Sequence, residues 1–332
     1  MADVPELDPA APIQFVINAA AGSSDAVTKR AVIESVLQAE GRCGDLHFCS
    51  PVQLVPMAHE SAQRALSTRA AVVAVGGDGT LNTVAQSAHA VGCAMGVVPQ
   101  GTFNYFARTH GIPPDPTEAV RLLLRSAPAP VQVAGINDRV FLVNASLGLY
   151  PDLLEDREAY KARFGRSRWV AFVSACATLL RAQRRLRLHI EMGGTVRDVQ
   201  TLTLFVSNNR LQLRQLGAEP DDTLAGTPGD GSMAALVLRP IGTLSMLGLM
   251  VHGAMGRLGE AAGVEGFEFE HLVVRPTLAP GRRGVKVAFD GEVTMMRPPL
   301  DFRVLAKPLY LLRPQRHAAA SDAGARTEAT GA

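Results

Sequence analysis

Apolar and polar positions alternate along this chain in two different rhythms. Over the first 130 residues, the apolar runs at 71–75 and 94–98 are of the kind buried on both faces of a parallel sheet, 13–17 is a short apolar strand, and 46–49 is a further strand. Between them apolar positions return at helical spacing. Val27, Ala31, Val36 and Leu37 mark a first helix, capped by Ser24 or Asp25, and further helices are predicted over 57–68, 81–91, 103–110 and 117–125. Strands alternating with helices predict a doubly wound parallel α/β domain. The texture changes at Ala127-Pro-Ala-Pro130. Strand patterns follow at 131–136, 140–145, 187–192, 199–207, 234–238, 267–274, 285–289 and 300–305, interrupted by two helical stretches. Alternation such as Val285-Lys-Val-Ala-Phe289 suits antiparallel strands with one wet face, so a second, mostly β domain is expected.

Length and composition narrow the function classes. The 332 residues suggest two domains at about 150 residues each. A net charge of +2 lacks the basic excess of a nucleic-acid binder, and 5% aromatics are too few for a stacking-based single-strand binder. Cys43, Cys49, Cys93 and Cys176 show no CxxC spacing, so reduced thiols are expected rather than a zinc site or disulfides. Residues 1–11 are acidic and Pro-rich with no basic segment before an apolar stretch, so no targeting signal is expected there. The apolar runs 169–180 and 241–255 fall short of the roughly 20 residues a membrane span needs. The tail from residue 314, rich in Ala, Thr and Ser, is expected to be disordered, as are residues 1–12.

The strongest local signal for chemistry is Gly76-Gly77-Asp78-Gly79-Thr80-Leu-Asn82, where a buried strand runs into a Gly-rich turn and a helix N-terminus. Glycines bring backbone close to a ligand, and exposed N–H groups at a helix start favour an anion. Asp78 would repel bare phosphate, and holding Mg²⁺ would explain its presence. A plain strand–helix turn capped by Asp or Thr is the competing explanation. Residues 18–22 and Pro99-Gln-Gly101-Thr102-Phe-Asn104 also follow predicted strands. Ligands of open parallel sheets bind outside the carboxyl ends of the strands, which puts all three loops on one rim. Neither GxxxxGK[ST] nor GxGxxG occurs.

Asn18-x-x-x-Gly22, the turn at Gly76–Asn82 and Pro99-x-Gly-Thr-x-Asn-x-Phe-Ala-Arg108 resemble the diacylglycerol kinase catalytic-domain family, which includes bacterial lipid kinases and sphingosine and ceramide kinases. Asn144-Ala-Ser-Leu-Gly-Leu-Tyr150, Val206-Ser-Asn-Asn-Arg210, Asp230-Gly231 and Asp290-Gly-Glu292 extend the resemblance over roughly residues 13–313. It implies an α/β nucleotide-binding domain over 13–128 and a mainly β-sandwich substrate domain over 129–313, whose last strand is free to return to the first. It implies ATP and Mg²⁺ as cofactors and transfer of the γ-phosphate to a hydroxyl of diacylglycerol or a related lipid. By position, Asn18, Gly22, Ser50, Gly76, Gly77, Asp78, Gly79, Thr80, Asn82, Gly101, Thr102 and Asn104 would take the nucleotide. Asp78 would organise Mg²⁺-ATP, and either Asp290 or Glu292 would be the base. Two apart, those carboxylates would share one face of a regular strand. A polar hairpin turn is the bland alternative, which Gly291 allows. Asp230, with carbonyls of Thr227 and Ser232, matches a structural Mg²⁺ site.

Three departures stand beside these matches. Gln132 is neutral where the family often has Asp, Tyr105 follows Asn104 where Asp is common, and 211–230 replaces a Gly-rich stretch. Arg181, Arg184, Arg185 and Arg187 end the apolar run 169–180, which suits either a core helix with a solvated end or an anionic membrane surface. The expected setting is cytoplasmic, peripheral to the inner face of the membrane, with a lipid substrate as partner. A homodimer is allowed. Two rivals remain. One is an NAD kinase, which shares the GGDGT turn but usually carries an Asn-Glu pair that this chain lacks. The other is a catalytically weak lipid- or nucleotide-binding protein of the same fold.

Overall fold

The computed structural model describes residues 4–22, 25–149, 151, 186–208, 231–240 and 264–314. The chain runs β1 (Ile13–Asn18), α1 (Ala26–Ala39), β2 (Gly44–Cys49), α2 (Pro51–Ser67), β3 (Ala71–Gly76), α3 (Asp78–Val91), β4 (Ala94–Pro99), α4 (Tyr105–Thr109), α5 (Pro116–Leu124). It continues with β5 (Pro128–Val131), β6 (Ala134–Ile136), β7 (Arg139–Phe141), β8 (Asn144–Gly148), β9 (Leu186–Met192), β10 (Thr195–Thr201), β11 (Thr203–Ser207) and β12 (Met233–Leu238). Then come β13 (Val264–Phe269), β14 (His271–Pro276), β15 (Val285–Phe289), β16 (Glu292–Met296), β17 (Leu300–Val304) and β18 (Leu309–Leu312).

The first sheet has the order β2-β1-β3-β4-β18-β5. Its first four strands and β18 are parallel, and β5 is antiparallel to β18. Every residue of β3 and β4 is buried, which accounts for their unbroken apolar runs. Helix α2 packs on α3 and β1, and α1 on α5. Two helices differ from the hydropathy reading. Helix α2 starts at Pro51 rather than 57, because Ser50 and Gln53 form a capping box and Pro51 sits at the first helical position; Pro56 is then tolerated inside it. Helix α1 buries Lys29, Ile33, Val36 and Leu37, while Val27 is 75% exposed.

The remaining strands form two antiparallel sheets, β10-β9-β14-β17-β6-β7 and β13-β12-β11-β8-β15-β16. Residues of both, among them Phe141, Leu188 and Phe302 from one and Leu147, Leu204 and Val287 from the other, share one core. The result is a β-sandwich beside the α/β layer, the two-domain architecture that the sequence predicts. Four predicted strands are each broken in two, and the run 140–145 divides into β7 and β8, which belong to different sandwich sheets. The chain leaves the first sheet after β5 and enters the sandwich at β6; it changes sandwich sheets at Leu202 and again at Glu270. At Leu202, the buried Thr201 hydroxyl lies 2.7 Å from the carbonyls of both Leu238 and Thr203, between which its one proton is shared, and accepts from the Thr203 N–H at 3.1 Å, which fastens the crossing. The helical stretches read at 169–180 and 241–255 lie outside the described residues. Among the described residues no helix is long and apolar enough to cross a membrane.

Candidate functional site

The parallel strands end together. Ile17 is in register with Val75, and Gly76 with Pro99, so the loops after β1, β3 and β4 share one edge. Small residues let them touch. A Cβ on Gly76 would lie 2.5 Å from the Thr80 hydroxyl of the same turn, and one on Gly101 would lie 3.0 Å from the Gly77 Cα, where the two loop backbones cross. The Gln100 N–H donates to the Gly76 carbonyl at 2.8 Å. Asn18 Nδ2 donates to Thr80 Oγ1 at 3.1 Å, tying the first loop to α3. Asn104, at φ 48°, folds its amide back onto the Gly101 N–H and carbonyl, both at 2.9 Å. Gly22, at φ 73°, sits against Gln100. The predicted residues Asn18, Gly22, Gly76, Gly77, Thr80, Gly101 and Asn104 are thus brought together. Ser50 caps α2 at the end of the neighbouring β2, with its hydroxyl on Gln53 Oε1 at 2.9 Å, and Thr102 is exposed in the third loop.

Three carboxylates approach this edge from different environments. Asp78 is the first residue of α3. Burial, then the neighbouring Asp290 charge, push its carboxyl up to about 6, against a pull from the Asn104 backbone amide. Its Oδ1 is buried with no hydrogen-bond partner among the described residues. Asp290 and Gly291 do not lie on a regular strand. Their φ values of 45° and 88° make the two-residue hairpin between β15 and β16, so the sharing of one strand face by Asp290 and Glu292 is corrected to a turn. Asp290 points inward and is 4% exposed. It accepts from the N–H groups of Leu142, Val143 and Asn144 at 2.7–3.1 Å and from Asn82 Nδ2 at 2.7 Å. Burial still holds its carboxyl above the usual range. Glu292 is exposed and its Oε1 lies over α3, where a Cβ on Gly79 would come within 2.9 Å of it. Partial burial of the carboxylate and the Asp290 charge raise its pKa, and Arg139 opposes them.

Some residues are engaged differently from the sequence expectation. The family resemblance gives Asn82 to the nucleotide; in the structure its amide nitrogen donates to Asp290 and to the Val140 carbonyl at 2.9 Å. Gln86, one turn on, exchanges hydrogen bonds with the N–H and carbonyl of Val140, so α3 clasps the sandwich through two amides. Gln132 donates to Asn208 Oδ1 and to the Ser232 carbonyl, and accepts from the Gly231 N–H. Ser232 is therefore joined to Gln132, while Thr227 and Asp230 lie outside the described residues. Lys29 was missed altogether. Its only sequence signal was a charge on the turn of α1 that follows a phosphate-suited loop.

Two features of this edge bear on whether a magnesium–nucleotide complex would fit it. Glycine backbones beside the start of a helix suit the close approach of an anion. The unpartnered Asp78 oxygen suits a hard cation, and no group of three or more potential ligands converges among the described residues. Mg²⁺ is usually held by one or two carboxylates together with substrate phosphates, which fits this donor set.

Comparison with known proteins agrees with this geometry. Residues 12–136 match the family model described as the diacylglycerol kinase catalytic domain. A Klebsiella pneumoniae protein named "Probable lipid kinase YegS-like" is 37% identical over 98 residues, 28% of this chain and 33% of that one. The chain thus spans about a third of the length of such curated relatives (33% for the Serratia proteamaculans protein of the same name). A Staphylococcus epidermidis protein named as a candidate lipid kinase is 26% identical over 243 residues, 72% of this chain and 75% of that one. In three dimensions, the crystal structure of a candidate diacylglycerol kinase from Bacillus anthracis superposes with a TM-score of 0.69 at 20% identity, covering 91% of this chain and 97% of that one. At that identity the likeness establishes the shared fold.

Proposed function

We propose that this chain, whose residues 12–136 match the diacylglycerol kinase catalytic-domain model, is a lipid kinase that moves the γ-phosphate of ATP to a hydroxyl of diacylglycerol or a related lipid. The observation that carries this reading is the pairing of two unlike carboxylates at the start of α3. Asp78 is buried with an unpartnered oxygen, and Glu292 is exposed and lies over Gly79. Phosphoryl transfer needs positioning, charge neutralisation and a group to take the hydroxyl proton. The three loops would position the phosphates. Mg²⁺ held by Asp78 would supply the charge neutralisation. Glu292 would accept the proton, because its carboxylate is open to an incoming alcohol. Asp290 is the less apt base, because both its oxygens are filled by hydrogen bonds. It anchors the hairpin that carries Glu292. The lipid would be met at the inner face of the membrane, with the protein bound peripherally.

The test is transfer from labelled Mg-ATP to diacylglycerol, monoacylglycerol, ceramide, sphingoid base and phosphatidylglycerol in mixed micelles, with NAD as a soluble control. A labelled lipid is expected. Glu292→Gln should lose about 10²–10⁴ in kcat and keep ATP affinity, in the range for a lost general base. Label on NAD alone would refute the reading. One observation favours a second reading, a nucleotide-binding protein without transfer: the Gln132 amide is consumed by structural hydrogen bonds. ATP bound with no lipid labelled would select it.

A further inference from the structure

Lys29 is placed where a lysine is unfavourable. It sits in the first turns of α1, at the positive end of the helix dipole, and is 3% exposed. Burying an ammonium is costly unless its donors are met. Here all three are. Lys29 Nζ donates to the carbonyls of Asn18 at 3.2 Å, Ala19 at 3.3 Å and Ala21 at 2.5 Å. These are three carbonyls within four residues of the first loop, drawn toward one buried charge. The loop has few other anchors. The Ala19 N–H donates to Cys49, and the Ala20 and Ala21 N–H groups return to Asn18. Asn18 is also the residue whose side chain reaches Thr80, and Gly22 at the loop's far end rests on Gln100. Lys29 therefore sets where the first loop lies against the other two. Neither the hydropathy reading nor the family motifs give it this part.

We propose that Lys29 is a positioning residue of the nucleotide site, which holds the 18–22 loop from behind in the conformation that receives the ATP phosphates. This rests on the nucleotide-binding reading given above. It locates the effect in binding of the polyphosphate and not in the transfer step, because all three ammonium protons are taken by loop carbonyls.

The experiment compares the full chain with Lys29→Met, Lys29→Arg and Ile33→Val. Ile33 is buried on the same face of α1, and losing its methylene lowers stability without touching the loop. Mg-ATP affinity is measured by direct titration, KM and kcat by lipid phosphorylation, and folding by thermal melting. Lys29→Met should raise Kd and KM for ATP at least tenfold, with kcat at saturating ATP within threefold of the parent and KM for lipid unchanged. Lys29→Arg should recover part of the affinity. Ile33→Val should lower the melting temperature and leave ATP affinity alone. If Lys29→Met does not fold, Lys29→Gln, which keeps two N–H donors, takes its place with the same expectation. Unchanged ATP affinity in the folded variant overturns the proposal, as does an equal loss in Ile33→Val. Failure of the parent protein itself to bind ATP overturns the nucleotide reading along with it, and is told apart because the defect is then present without any substitution.

Discussion

Asp78 ionises at the expense of the fold. Its carboxyl, raised to about 6 from 3.8, binds a proton more readily in the folded chain than in the unfolded one. Its contribution to stability is therefore full below pH 4 and is lost as pH rises through about 6. Asp78→Asn should remove this dependence. In the absence of nucleotide and divalent cation, it should raise stability at pH 7 by about 1–3 kcal/mol, with the gain vanishing toward pH 4. Denaturant unfolding across that pH range measures it. The same variant should lose lipid phosphorylation, and that joint outcome marks a residue kept for chemistry against stability. A variant no more stable than the parent at pH 7 would contradict this account of Asp78. Lys29 is the companion case, a buried charge whose three partners are all backbone carbonyls.

The first turn of α3 is where an element's start and a site coincide. Gly79 is inside a helix, where Ala is favoured by roughly 0.5–1 kcal/mol, yet a Cβ there would displace the Glu292 carboxylate. Gly79→Ala should hold or raise the melting temperature while lowering kcat at least tenfold, measured in the micelle assay; full activity would show that Glu292 need not lie over Gly79. At this scale the sequence reveals some things and conceals others. The glycines at 76 and 101 were legible because a Cβ at either would come within 3.0 Å of a neighbouring atom, whereas one on Gly77 would make only ordinary contact with Gly101. The Asp290–Gly291 turn was visible as the bland alternative. The sheet changes at Leu202 and Glu270 were not, because hydropathy records burial and is silent about which sheet a buried strand joins. Lys29 was hidden by the assumption that a charge in an amphipathic helix faces water. Val27 reversed the same rule from the other side.

Two connections make the domains one molecule. Asn82 and Gln86 of α3 grip Val140 and Asp290 of the sandwich, so the hairpin bearing Glu292 is registered directly on the helix that bears Asp78. The second connection is β18, which leaves the sandwich to lie between β4 and β5. Its four residues are all buried. A chain ending at residue 308 should therefore lose the α/β domain as well as the tail: circular dichroism should show no cooperative melting, and Mg-ATP should not bind. A truncated chain that melts cooperatively and binds ATP would show β18 to be dispensable. A ribosome sees the same strand as a delay. Strand β4 leaves the exit tunnel roughly 210 residues ahead of β18, on the order of 10–40 s at ordinary elongation rates. Through that interval an apolar strand edge waits for a partner not yet made, the condition that invites pairing between neighbouring nascent chains. Production of the protein should thus be limited by what shields that edge during synthesis.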